Sequence, residues 1–417
     1  MSLSRTLAHN TAIQIIGKAV STALGLVAFA ILARTLGPKE YGWYGTASGF
    51  LQFIGLLIDF GFTVTISNML AEPLFDKEKL FNTVFTWRFF TALICFGLAP
   101  FLILLFSYGS GDGKIKMAVA ILALSFFAIT VNSVFIGYYR QKLSMLIATL
   151  SEVFGRIILV VGVMMLAVFK AGFLPIMGAI TIASVSSTIY LIYKFGKIKF
   201  EIDKEISRVL YYKMWPTALS VIFNTVYLQA DRVILPLYAS PEVVGFYAAS
   251  YRVLDIIIQV AAIVMGMIMP LITFSWSRNL VSEFKERYQL GVDLLAFLLF
   301  PMVVEIFVLS QPIMAVIAGD AFAASGEMLK WFQYFHSWHL VWHDVRPHCS
   351  RNQPTKAGAV GLWLRRGVEF DRIFLFYSPL WLARGGGCDD FFRNLRWVVF
   401  DGDQHLLFES FFPTCGR

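Results

Sequence analysis

The chain has 417 residues, of which 58% are hydrophobic and only 15% charged, and its mean hydropathy is +0.68. Soluble domains carry about 25% charged residues, so a fold with a mainly water-facing surface is excluded. The net charge of +8 is divided among short loops between apolar runs, which fits membrane topogenesis and argues against a nucleic-acid partner.

In chain order the apolar runs are 11–33, 41–62, 87–106, 115–139, 145–169, 173–193, 214–238, 244–274 and 288–318. Each supplies the roughly 20 apolar residues that a helix needs to cross a bilayer core. The expected class is therefore an all-α polytopic membrane protein with at least nine spans. "MSLSRTLAHN" leads straight into the first run, so no cleavable signal is expected. One set of alternate loops holds Arg5, Lys77, Lys79, Arg140, Lys142, Lys194, Lys197, Lys199, Lys204, Arg208, Lys213, Arg278, Lys285 and Arg287. The other set holds only Arg34, Lys39, Lys114, Lys116 and Lys170. Basic residues stay inside, so the N-terminus is expected in the cytoplasm.

"GPKEYGWYGTA" (37–47), between the first two runs, aligns without a gap with "SPEVVGFYAAS" (240–250), between the seventh and eighth. Pro38 matches Pro241, Gly42 matches Gly245, Trp43 matches Phe246, Tyr44 matches Tyr247 and Gly45 matches Ala248. Such residues also gather at membrane interfaces, but the register and the offset of six spans favour a parallel repeat of two lobes. The expected organisation is a six-helix lobe over 1–195 and a cytoplasmic linker over 196–213. A second lobe of three helices, incomplete, then runs over 214–330, and a tail of different character over 331–417.

"ILARTLGPKEYGWYGTASGFLQFIGLLIDFGF" resembles the first hairpin of polysaccharide (O-antigen type) flippases. These belong to the multidrug/oligosaccharidyl-lipid/polysaccharide exporter superfamily. The resemblance covers residues 10 to about 330 and includes "QADRVIL" in the seventh run. It implies a two-lobed helix bundle, usually of twelve to fourteen helices, that moves lipid-linked oligosaccharide across the bacterial inner membrane by alternating access. It also implies work beside a polysaccharide polymerase and glycosyltransferases.

Charges inside spans are costly and so mark candidate sites. Lys18, Arg88, Arg156 and Arg252 are the candidates for a cationic cavity, because Lys and Arg hold phosphate by charge-assisted hydrogen bonds. The implied ligand is the diphosphate of a polyprenyl carrier. Asp59, Glu152, Asp231, Asp255, Asp293 and Glu305 are candidates for ion coupling or for pairing. Glu152 with Arg156 (i, i+4) and Arg252 with Asp255 (i, i+3) can each neutralise themselves on one helix face. Lys18 has no acidic neighbour along its own helix and can snorkel. Asp59 and Glu305 lack a local base, and Asp59 can alternatively cap its helix. A drug/cation antiporter of the same superfamily requires an acidic cavity. A membrane polymerase or glycosyltransferase requires a large extracytoplasmic loop with catalytic residues, and none precedes residue 330. No nucleophile–base set, phosphate-cradling loop or metal triad lies there either, so neither an enzyme nor a cofactor is expected.

Residues 331–417 contain five of the six histidines, three of the four cysteines, six of the ten tryptophans and nine arginines against one lysine, Lys356. His336, His339, His343, His348 and Cys349 have the residue types of a zinc site. The composition break points elsewhere. "HDVRPHCSRNQPTK" (343–356) admits codons that, read one nucleotide later, encode MMFGHIALAINQQ, an apolar helix with a polar end. "YSPLWLA" (377–383), shifted in the same phase, encodes IPRYGW, an interface turn. The expectation is a frame disruption near residues 328–334 and no metal site.

Overall fold

The structure, a computed structural model, describes residues 3–59, 62, 65, 69, 76–109, 111–142, 144–278 and 280–332. From 333 onward the tail, with its histidine cluster, lies outside the described residues, as does part of the expected frame disruption near 328–334. Among the described residues eight long helices follow in order: α1 (Leu3–Asp59), α2 (Lys77–Leu102), α3 (Asp112–Gln141), α4 (Met145–Val168), α5 (Phe173–Phe195), α6 (Lys204–Tyr238), α7 (Pro241–Ser277) and α8 (Val281–Ala318). Short 3₁₀ turns at Ile103–Leu105 and Asp320–Phe322 complete them, with a last helical stretch over 325–332. Among the described residues there is no strand, as expected for an all-α polytopic protein.

Helix α1 contains the first two expected spans, joined at Gly37, whose φ of 67° and ψ of 174° break the helix. That region of backbone space is essentially reserved for glycine. Pro38 then restarts the helix where a missing N–H costs nothing. Ring contact between Phe29 and Tyr41, 5.8 Å apart, ties the two limbs together. Among the described residues, six helices are long and apolar enough to cross a membrane: α1, α2, α3, α4, α5 and α8. They contain seven of the nine expected spans. The other two, 214–238 and 244–274, form α6 and α7, which are helical but fall outside that group. Large apolar side chains stand exposed on these helices, such as Phe297 at 75% and Val308 at 70% on α8. Apolar exposure on that scale calls for hydrocarbon as the solvent.

Small residues bring the helices together. Gly155 of α4 lets Ser187 and Ala183 of α5 approach closely, and the Ser151 hydroxyl donates to the Ser187 carbonyl at 3.0 Å. Ser125 of α3 donates to Ser184 of α5 at 2.7 Å. Small and hydroxyl-bearing contacts of this kind replace the hydrophobic drive that is missing between helices in lipid.

Two features position the site. At one end of the bundle α1 crosses α7 backbone to backbone. A Cβ on Gly42 would lie 1.8 Å from the Pro241 carbonyl oxygen, and one on Gly245 would lie 2.0 Å from the Pro38 carbonyl oxygen. A Cβ on Gly45 would lie 2.9 Å from that of Ala248. The contact is reciprocal, the relation a local two-fold axis produces, and it joins the two stretches that align in the sequence. Phe322 seals the same end with its edge against Tyr41 and Phe246, at 5.7 and 6.0 Å. Arg34 donates there to the Val316 carbonyl at 2.5 Å.

The second feature concerns the stretch expected to be a linker. Its last ten residues are the first turns of α6, and Asp203 caps them by accepting from the N–H groups of Glu205 and Ile206 at 2.9 and 3.0 Å. Ile206 and Leu210 are buried beside Phe81, Phe85 and Phe135 of α2 and α3. Thr86 and Thr83 accept from the N–H groups of Glu201 and Asp203, and Trp87 donates to Ser207 at 2.9 Å.

Candidate functional site

Between α1, α4 and α7 lies a narrow cleft bordered by Lys18, Ser21, Glu152, Arg156, Arg252 and Gln259. Along α1 a small-residue stripe of Gly17, Ser21 and Gly25 runs at four-residue spacing into the cleft wall, which lets neighbours approach the helix. Gly17 faces Thr149, where a Cβ would lie 1.8 Å from the threonine methyl. That close crossing brings Glu152, one turn further along α4, against Lys18. The ammonium stands 3.2 Å from Glu152 Oε1, and the Ser21 hydroxyl donates to the same oxygen at 2.7 Å. Thr22 and Gln259 meet across the seam at 3.4 Å.

Arg156, one turn beyond Glu152 on α4, and Arg252 on α7 converge on Gly25. A Cβ there would lie 3.7 Å from the Arg156 guanidinium carbon and 3.8 Å from Arg252 Nη2. Among the described residues neither guanidinium has an ion pair or hydrogen bond. Both same-helix pairings open to the sequence are left unmade, since Glu152 turns to Lys18 and Asp255 lies 3.9 Å from Arg232. The cleft thus holds two guanidiniums outside any contact ion pair and one ammonium paired with Glu152.

Of the four expected cavity cations, the structure brings Lys18, Arg156 and Arg252 together and places Arg88 elsewhere. Arg88 is 4% exposed, and its guanidinium donates to Asp59 at 2.7 Å and to the Ile58 carbonyl at 3.3 Å. It also lies over the Phe62 ring at 5.1 Å. Arg88 and Asp59 therefore tie α2 to the end of α1. Asp231 sits among α6 and α7, accepting from the Tyr247 hydroxyl, from the Tyr251 hydroxyl at 3.2 Å and from the Arg232 N–H at 2.9 Å. Arg232 reaches across to α1, donating to Gln52 at 2.8 Å. Asp293 accepts from Gln289 at 2.8 Å, and Glu305 is exposed on α8. Neither Asp293 nor Glu305 borders the cleft. Ser21, Gly25 and Gln259 were missed in the sequence. Their signal was spacing, since 18, 21, 22 and 25 on α1, and 252, 256 and 259 on α7, each fall on one helix face.

Residues 7–276 match the family described as "Polysaccharide biosynthesis protein". The succinoglycan biosynthesis transport protein ExoT of Rhizobium meliloti (strain 1021) is 22% identical over 332 residues, which is 78% of this chain. The chain spans 65% of that relative's length. Among solved structures, an inward-facing multidrug resistance MATE family transporter of the MOP superfamily superposes with a TM-score of 0.58. The identity is 16%, over 77% of this chain and 81% of the other. The MATE multidrug transporter DinF-BH gives 0.56 at 15% identity, over 76% of this chain and 75% of the other. At such identities these two establish the fold alone. The chain belongs to the polysaccharide biosynthesis protein family, and its fold is that of the MOP-superfamily transporters.

Proposed function

We propose that this transporter carries polyprenyl-diphosphate-linked oligosaccharide from the cytoplasmic to the outer leaflet of a bacterial inner membrane, for cell-surface polysaccharide synthesis. The observation that supports this reading is the pair of guanidiniums, Arg156 and Arg252, that face one cleft between helices of the two sequence halves with no contact ion pair or hydrogen bond among the described residues. A diphosphate offers each a charge-assisted hydrogen bond. A cationic drug would be repelled there, so the antiporter reading is the weaker one. In this proposal residues 1–195 and 214–330 are the two lobes, the second incomplete, with the N-terminus in the cytoplasm. The lobes rock to present the headgroup to each leaflet in turn. Residues 331–417 are an out-of-frame product, which sequencing the gene across codon 330 tests directly. The function is tested by rescue of a flippase-null strain with as-given and frame-corrected genes. Rescue by the corrected gene, lost in Arg156→Gln/Arg252→Gln at normal expression, is the expected result. Undiminished rescue by that double variant rejects the headgroup site. Gain of cationic-dye efflux without rescue favours the antiporter.

A further inference from the structure

We infer that Glu152 is an internal stand-in for the transported headgroup: it holds Lys18 while the cleft is empty and yields that ammonium when an anionic headgroup binds. This rests on the reading of the cleft as a phosphate-headgroup site, and it assigns Glu152 a positioning role in release. Three cations border the cleft, and one carboxylate, Glu152, stands among them. Its spacing allows a pair with Arg156, yet Ser21 and Lys18 draw Oε1 towards α1 at 2.7 and 3.2 Å. Arg156 and Arg252 remain open to a first contact, with Lys18 held in reserve beside them.

Burial decides why this pair is exchangeable. The side chains of Lys18 and Glu152 are 40% and 38% exposed, whereas Arg88 in its pair with Asp59 is 4% exposed. An exposed pair gains little from its own attraction, so a phosphate brought in by the two arginines can compete for Lys18 on nearly equal terms. A buried pair resists such exchange, because either partner left alone is a stranded charge. When the headgroup departs, the tethered carboxylate is already at hand to retake the ammonium. A residue that competes with the cargo in this way weakens its binding and hastens its release.

The test uses the full chain in nanodiscs with farnesyl diphosphate as the probe and farnesol as the uncharged control, alongside lipid-linked cargo transport in proteoliposomes. Glu152→Gln is expected to bind the diphosphate about tenfold tighter, the worth of one charge-assisted hydrogen bond, and to transport more slowly. Lys18→Met/Glu152→Gln returns to wild-type affinity, because both cleft charges of the exchangeable pair are then gone. Lys18→Met alone binds more weakly, with Glu152 left as an unopposed anion. A purely structural pair, whose loss only loosens the α1–α4 contact, predicts unchanged or weaker binding by Glu152→Gln, and that result overturns the inference. Arg156→Gln/Arg252→Gln separates the two levels of the proposal. If that variant loses the probe while Glu152→Gln behaves as wild type, only the stand-in role fails. If it keeps full affinity, the headgroup reading fails and the inference with it.

Discussion

Replacing Gly42 by alanine puts a methyl carbon 1.8 Å from the Pro241 carbonyl oxygen. An ordinary C···O contact is about 3.3 Å, so α1 and α7 must part by about 1.5 Å at their crossing. A gap of that size forfeits about half or more of the dispersion energy between facing atoms, including the edge contacts of Phe322 with Tyr41 and Phe246. Overpacking of this kind costs about 1–3 kcal/mol. The upper end is expected, because the atom met is backbone at a helix start and has no rotamer to escape into. Gly245→Ala meets the Pro38 carbonyl oxygen at 2.0 Å and should cost about as much. Since one opening accommodates both methyls, the double variant should cost little more than either single, a coupling of about 2–3 kcal/mol. Thermal unfolding of the purified protein in detergent checks this. Each single variant should lower the midpoint by roughly 3 °C, from an unfolding entropy of about 2.1 cal/mol/K per residue, and the double by scarcely more. A single variant with the wild-type midpoint, or a double variant at the sum of the two, would refute the reasoning.

Arg88→Met removes the buried guanidinium from the Asp59 carboxylate and should cost about 3 kcal/mol, at the low end for broken buried pairs because Asp59 retains 21% exposure. Arg88→Met/Asp59→Asn should recover most of that midpoint, and diphosphate affinity in the stable double variant should stay within twofold of wild type. Asp203→Ala removes the cap of α6 and should cost about 1 kcal/mol. Faster proteolytic cutting over residues 196–203 would report it, with α2 and α3 unaffected.

The long-range contacts explain which parts of this molecule were legible in its sequence. Apolar run length announces membrane helices directly, because hydrocarbon admits few alternatives. The stretches around Gly42 and Gly245 stood out by their matching pattern, and the structure places them in mutual contact. Ion pairing was not legible. Glu152 has Arg156 four residues away on its own helix but pairs with Lys18, 134 positions distant. The Gly17–Thr149 crossing decides that choice, and periodicity along one helix carries no information about it. Arg88 looked like a cavity cation for the same reason, its partner Asp59 lying 29 positions upstream. The expected linker misled in another way. Its lysines drew attention from Asp203, Ile206 and Leu210, which together spell a cap and a buried helix face.

That docked start of α6 has a consequence for the covalent chain itself. Residues 196–203 join two segments held in one cluster, and they dock on α2 themselves through Phe200, Glu201 and Asp203. Phe195 is packed on one side in the cluster around Phe81 and Phe135, and Ile206 and Leu210 are anchored in that cluster on the other. Helix α6 then rises about 42 Å from Lys204 to Arg232 and its grip on Gln52. With contacts on both sides of Lys199, the peptide bond there contributes proximity more than structure. Made as two polypeptides divided near Lys199, the halves retain the contacts that recognise one another, and their association in the membrane replaces the bond between them.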